Sequence, residues 1–220
     1  MSAVDTPESE MSDNEILRGL IIDLRRKIEA HLLDNDAVTS AIKQLGQIRK
    51  YDSAKFPPLI PGHSYTYVKS GQPKTVAEAL LWKLGKWQVY QSFAAKYQDS
   101  APKPGKTDVV LYAFIRHMQD PSNPIYDQHA VRALWAIDPG IEGDAARGLK
   151  SVLLNTADTW KAAGSGDDTY KCYELYVERI KEICRPHGVD LGRMDQLLMP
   201  LGQTIKRATD NYAEFRRLCE

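Results

Sequence analysis

Lys106 and Asp127 stand 21 positions apart, and each sits immediately ahead of an apolar helical run. A lysine amine kept neutral can attack an electrophilic carbon and pass through a Schiff base. A carboxylate beside that carbon can stabilise the positive charge that develops there. Each residue alone has a plainer reading, Lys106 as a solvated surface lysine and Asp127 as a helix cap. Chemistry needs the two helix starts to meet.

The local sequence supplies the means. Pro102, Pro104 and Gly105 predict a tight turn whose backbone N–H groups open onto the next helix, a setting that attracts phosphate. Lys106 falls in the first turn of a helix expected over 107–118, where the positive end of the macrodipole disfavours its ammonium form. Asp127 is placed to accept N–H bonds from His129 or Ala130 at the start of QHAVRALWAI. The intervening helix would be roughly 18 Å long. The nine residues Gln119–Asp127 then leave enough chain to double back to the level of Lys106.

Helices account for the rest of the pattern. Ile16, Leu17, Leu20, Ile21, Leu24 and Ile28 recur at helical spacing, predicting a helix over 14–33 capped by Ser12 or Asp13. A second helix follows a cap near Asp34–Asp36. Pro57, Pro58, Pro61, Gly62, Gly71 and Pro73 mark an extended connection over 56–72. Thr75 and Glu78 form a capping-box pattern ahead of a long helix that Gly85 kinks or ends. Pro139-Gly140 stops the helix after Asp127. Further helices are expected over 144–163 and 168–185, with a final pair around Met194 and Ile205 divided by Pro200-Leu201-Gly202. No hairpin signal or alternating run occurs, so the fold class is all-α. Residues 1–13 are polar without an apolar period and are expected to be flexible.

Composition narrows the function classes. Lys plus Arg balance Asp plus Glu at 29 each, so a nucleic-acid role would rest on a local patch, not on overall charge. No apolar run reaches the roughly 18 residues of a membrane helix, and the N-terminus lacks the basic and apolar regions of a signal peptide. The expectation is a cytoplasmic protein with no membrane partner. Cys172, Cys184 and Cys219 are too few for a disulfide framework. Cys184, His187 and Cys172 could be imagined around zinc, but no paired C-x2-C completes the set. Buried thiols, no metal and no cofactor are expected. Nothing in the sequence sets an oligomeric state.

In order along the chain come Gly105-Lys106-Thr107, the apolar Val109-Val110-Leu111, then Pro124-Ile125, Asp127, His129 and Arg132. This ordered set resembles the helix-hairpin-helix (HhH-GPD) DNA glycosylase superfamily, which includes the endonuclease III and 8-oxoguanine glycosylase types. It covers about 30 residues of the 220. The hairpin SAPKPGKTD departs from the family's pattern: it lacks the first glycine of G-x-G, and Asp108 stands where a small residue is usual. No four-cysteine signature follows, so the resemblance is to a member without an iron–sulfur cluster. A second stretch, Arg193–Gln203 (RMDQLLMPLGQ), resembles a C-terminal R-x-[IL]-D-x-x-L-W-x-x-G segment of bacterial proteins with a glycosylase-like core.

The resemblance implies a two-lobed helical fold over 14–220. Lobe A would comprise 14–72 plus 140–220, lobe B 73–139 with its hairpin at 101–107, and the active-site cleft would lie between them. It implies a DNA N-glycosylase in which Lys106 attacks C1′ of the nucleotide and Asp127 promotes departure of a damaged or modified base. A lyase step would follow from the imine. Lys103, Gly105, Thr107, His129 and Arg132 would contact DNA, though His129 also suits a geometry-fixing hydrogen bond and Arg132 a structural role. Trp82, Trp87, Tyr90, Phe93 and Tyr126 would wall the pocket for a flipped base. A helical stripe of this kind is more often a core than a pocket wall, and Lys83, Lys86 and Lys96 read as a basic rim or a solvated face. The rival reading is a non-catalytic helical protein that binds DNA or a protein partner while keeping the fold.

Overall fold

Short-range capping chemistry starts the helices where the sequence places them. Ser12 accepts the Glu15 N–H while the Glu15 carboxylate accepts the Ser12 N–H at 2.8 Å, opening α1 (Asp13–Glu29). Asp34 accepts the Ala37 N–H at 2.7 Å and opens α2 (Asn35–Leu45). Thr75 and Glu78 make the expected box at the head of α3 (Val76–Lys83). Gly85 then adopts φ 67°, a left-handed conformation that glycine enters without steric penalty. The helix stops there, and α4 (Trp87–Gln98) is a separate element.

The computed structural model describes residues 12–48, 59, 65–66, 71–98, 109–138, 140, 167–210 and 212–220. The remaining helices are α5 (Val109–Gln119), α6 (Gln128–Ile137), α7 (Asp167–Cys184), α8 (Leu191–Ala208) and α9 (Tyr212–Cys219), with a 3-10 turn Arg185–His187 between α7 and α8. The chain is all-α: every regular element among the described residues is a helix. None of them is long and apolar enough to cross a membrane. The helix expected over 144–163, most of the connection 56–72 and the hairpin 101–107 lie outside the described residues.

The centre of the core is α6. Ala130, Val131, Arg132, Ala133, Leu134, Ala136 and Ile137 are all buried along its ten residues. It packs most extensively on α8, and α1 closes over it from another side. α1 contributes Leu17, Leu20, Ile21, Leu24 and Ile28 to the same cluster, each worth about 1.5–3 kcal/mol when fully buried. The end of α6 is tied off twice. Arg25 of α1 donates to the Ala136 carbonyl at 3.0 Å, and the enclosed Asp138 carboxylate takes two bonds from Arg179 of α7, at 2.7 and 2.9 Å.

One expectation needs correction. α8 runs unbroken through Pro200, so the two short helices read from Pro200-Leu201-Gly202 are one. An interior proline removes a backbone bond and costs about 3 kcal/mol. Burial offsets it: Pro200 is enclosed together with Leu197, Leu198 and Leu201, and the Thr204 hydroxyl donates to the Pro200 carbonyl at 2.8 Å. Gly202 is required by contact, not by flexibility. A Cβ there would lie 1.8 Å from the His129 carbonyl oxygen of α6.

Candidate functional site

Asp127 caps α6 from an extended backbone, and its Oδ1 accepts the N–H groups of His129 at 2.7 Å and Ala130 at 2.8 Å. The residue is half-buried. No hydrogen bond to its Oδ2 falls among the described residues. One carboxylate oxygen is thus anchored by the helix start, and the orientation of the group is fixed by main chain.

The segment leading into Asp127 is held from three helices. The Ile125 N–H donates to Oδ1 of Asp195 on α8 at 2.7 Å. The Ile125 carbonyl accepts the Tyr176 hydroxyl of α7 at 2.9 Å. His117 of α5 bonds the Asn123 carbonyl through Nδ1 at 2.9 Å, so that nitrogen carries the proton. The same Nδ1 lies 4.0 Å from Asp195 Oδ2. Tyr126 is fully enclosed, edge-on to Tyr173 and Tyr176 at centroid distances of 5.5 and 5.3 Å.

Just inside α6, Arg132 Nη1 faces His129 Nδ1 at 3.3 Å. A guanidinium only donates, so Nδ1 accepts and the ring proton sits on Nε2. The ring also bonds the Gly202 backbone. Burial pulls the His129 pKa below its ordinary value, with the Arg132 and Lys206 charges adding to that effect and the Asp127 carboxylate opposing it. Arg132 is enclosed completely, and burial pulls its guanidinium down to about 10, which leaves it protonated at neutral pH. Burial pushes Asp195 up to about 7; the Ile125 bond opposes the shift and the Asp127 charge reinforces it. Of the two carboxylates, the buried one therefore holds its proton to much higher pH than an ordinary aspartate.

Asp127, Tyr126, His129 and Arg132 come together at this helix start, while Lys103, Gly105, Lys106 and Thr107 lie outside the described residues. The other aromatic candidates fall elsewhere. Trp82 is 60% exposed on α3. Trp87 pairs with Tyr90, whose hydroxyl donates to Glu78 at 2.8 Å, and Phe93 stacks on Phe114 of α5. Cys184 is buried, its thiol pushed up to about 12 by burial, and His187 bonds the His31 carbonyl. The sequence motifs give no role to Asp195 or Tyr176, and Gly202 reads from sequence as a helix break where the structure makes it a close-contact position. Asp195 and Gly202 both sit in the RMDQLLMPLGQ stretch, and the three-residue repeat Tyr170, Tyr173, Tyr176 was the available signal for an aromatic face on α7. No protein-family model, curated protein or solved structure matches this chain.

Proposed function

We propose that this protein is a DNA N-glycosylase of the helix-hairpin-helix type, with Asp127 as the carboxylate of the site and Lys106 as its nucleophile. The observation that supports the reading best is the presentation of Asp127. Its Oδ1 is anchored by two amides at the start of a buried helix, and the approach to it is tied down from α5, α7 and α8. A fixed anion of this kind suits an oxocarbenium-like sugar, because no reorganisation is needed as charge develops. In this reading α1, α2 and α7–α9 form one lobe, α3–α6 the other, and DNA enters a cleft between them at the head of α6.

The C1′–N bond breaks with its electron pair leaving on the base, and the Lys106 nitrogen bonds C1′. Opening of the sugar ring gives an imine, which permits β-elimination of the 3′ phosphate. The base reaches the site by leaving the stack, at a few kcal/mol that damage or mispairing lowers. Borohydride added to the protein with duplexes carrying abasic sites or modified bases, bulky ones included, traps a covalent adduct on Lys106. Lys106→Ala abolishes the adduct, and Asp127→Asn slows base release with the fold intact by circular dichroism. A panel with no adduct and no released base overturns the enzymatic reading. It favours the non-catalytic helical protein that binds DNA or a protein partner; the complete enclosure of Arg132 suits a structural role for that residue in either reading.

A further inference from the structure

We infer that Asp195 and Tyr176 are positioning residues for Asp127, gripping the Ile125 main chain from two different helices so that the carboxylate is presented in one place. The main chain of each residue carries one donor and one acceptor. At Ile125 the donor goes to Asp195 Oδ1 on α8 and the acceptor to the Tyr176 hydroxyl on α7. Both bonds span long stretches of sequence, 70 and 51 residues, so each fastens this turn to a separate helix. Only Tyr126 lies between Ile125 and Asp127, and its ring meets Tyr173 and Tyr176 edge-on. Downstream, the missing side chain of Gly202 lets the His129 backbone lie directly on α8. Asp127 is thus bracketed between two points of fixed main chain.

The chemistry of the grip suits a place beside a functional anion. Asp195 is 5% exposed and Tyr176 fully enclosed. The groups facing Asp195 are His117 from α5, Tyr173 and Tyr176 from α7, and Asp127 itself. A neutral carboxylic acid can still accept the Ile125 N–H, and it spares Asp127 a second negative charge close by. Burial keeps the Tyr176 phenol far above its ordinary pKa, so it remains a donor throughout the working range. Ionising Asp195 leaves the grip in place but sets a second negative charge facing Asp127.

Amide hydrogen exchange in the free protein tests the grip directly. Asp195→Ala and, for the carbonyl side, Tyr176→Phe raise the exchange rates of the His129 and Ala130 amides at least tenfold, while α1 and α2 amides stay within twofold. Asp195→Asn keeps an acceptor oxygen and restores protection. The charge is tested by urea unfolding against pH. A carboxyl with its folded pKa near 7 instead of 3.8 binds its proton more tightly in the folded state, so stability is lost as pH rises from about 4 through 7. The wild-type unfolding constant therefore grows by up to about a thousandfold across that window from this group, and Asp195→Asn removes that component. Unchanged His129 and Ala130 exchange in both Asp195→Ala and Tyr176→Phe overturns the grip. An Asp195→Asn pH dependence identical to wild type overturns the neutral form of Asp195 in the grip. The importance of the grip for base release rests on the glycosylase reading, but the exchange and stability results do not. If no borohydride adduct forms while exchange responds as stated, the enzymatic reading falls and the positioning of Asp127 stands.

Discussion

Replacing Gly202 with alanine adds one methyl group where the backbones of α8 and α6 touch. An ideal Cβ at this position lies 1.8 Å from the His129 carbonyl oxygen, 2.4 Å from its carbonyl carbon and 2.9 Å from its Cα. Carbon contacts settle near about 3.5 Å, so one helix must move by roughly 1.5 Å. The obstacle is main chain, which has no rotamer to escape into. Moving α6 off α8 also loosens Ala130, Ala133 and Leu134 against Leu198 and Leu201, all fully buried, and breaks the close packing that interiors require. Overpacking of side chains costs about 1–3 kcal/mol; backbone against backbone belongs at or above the top of that range, so about 3–5 kcal/mol is expected. For a chain of this length each kcal/mol lowers Tm by about 2–4 °C, giving a fall on the order of 10 °C. The sign makes the experiment decisive. Glycine to alanine in an uncrowded helix interior stabilises by about 1 kcal/mol. Thermal melts and urea titrations followed at 222 nm measure the effect, and a Gly202→Ala protein melting within 2 °C of wild type, or above it, refutes the close approach of α6 and α8.

Two further outcomes follow from the buried groups. Asp138→Ala strips the paired guanidinium of Arg179 of its two bonds at the end of α6; because Arg179 is partly exposed, the loss is about 2–3 kcal/mol, read as a lower urea midpoint. Arg179→Lys recovers only part of the wild-type value, since an ammonium cannot reproduce the two-pronged contact. Burial pushes the thiols of both Cys184 and Cys219 up to about 12. Neither reacts with a thiolate-selective reagent at pH 8 in the folded protein, and both react when urea unfolds it, which mass spectrometry of labelled peptides checks.

What could be read from the sequence was what is decided within a few residues. Ser12 with Glu15, Thr75 with Glu78, and Asp127 with His129 and Ala130 are side chains bonding amides two or three positions away, and each stands where local pattern put it. Gly85 ended α3 by the same kind of local preference. Pro200 misled because its penalty is local while the compensation is tertiary: its neighbours on α8 bury against α6, more than sixty positions earlier. The role of Asp195 was hidden for the same reason. Its character comes from Ile125, 70 residues away, and from burial against groups that α5 and α7 supply. Arg132 shows the limit of the binary pattern, because a charged residue at a polar-looking position of α6 proves to be completely enclosed.

The helix α1 has a consequence for how the chain reaches this structure. Its apolar stripe, from Leu17 to Ile28, is covered by α6 and by α9, in which Phe215 and Leu218 are buried and Phe215 meets Trp135 edge-on at 6.2 Å. A ribosome delivers α1 first and α9 almost the whole sequence later. During that interval α2 and then α6 cover only part of the stripe, and the contacts that finish the core are among the most distant in the chain. Such topology slows folding relative to helical proteins built from neighbouring pairs, and it keeps part of the α1 stripe open to non-native contacts until residues 212–219 emerge.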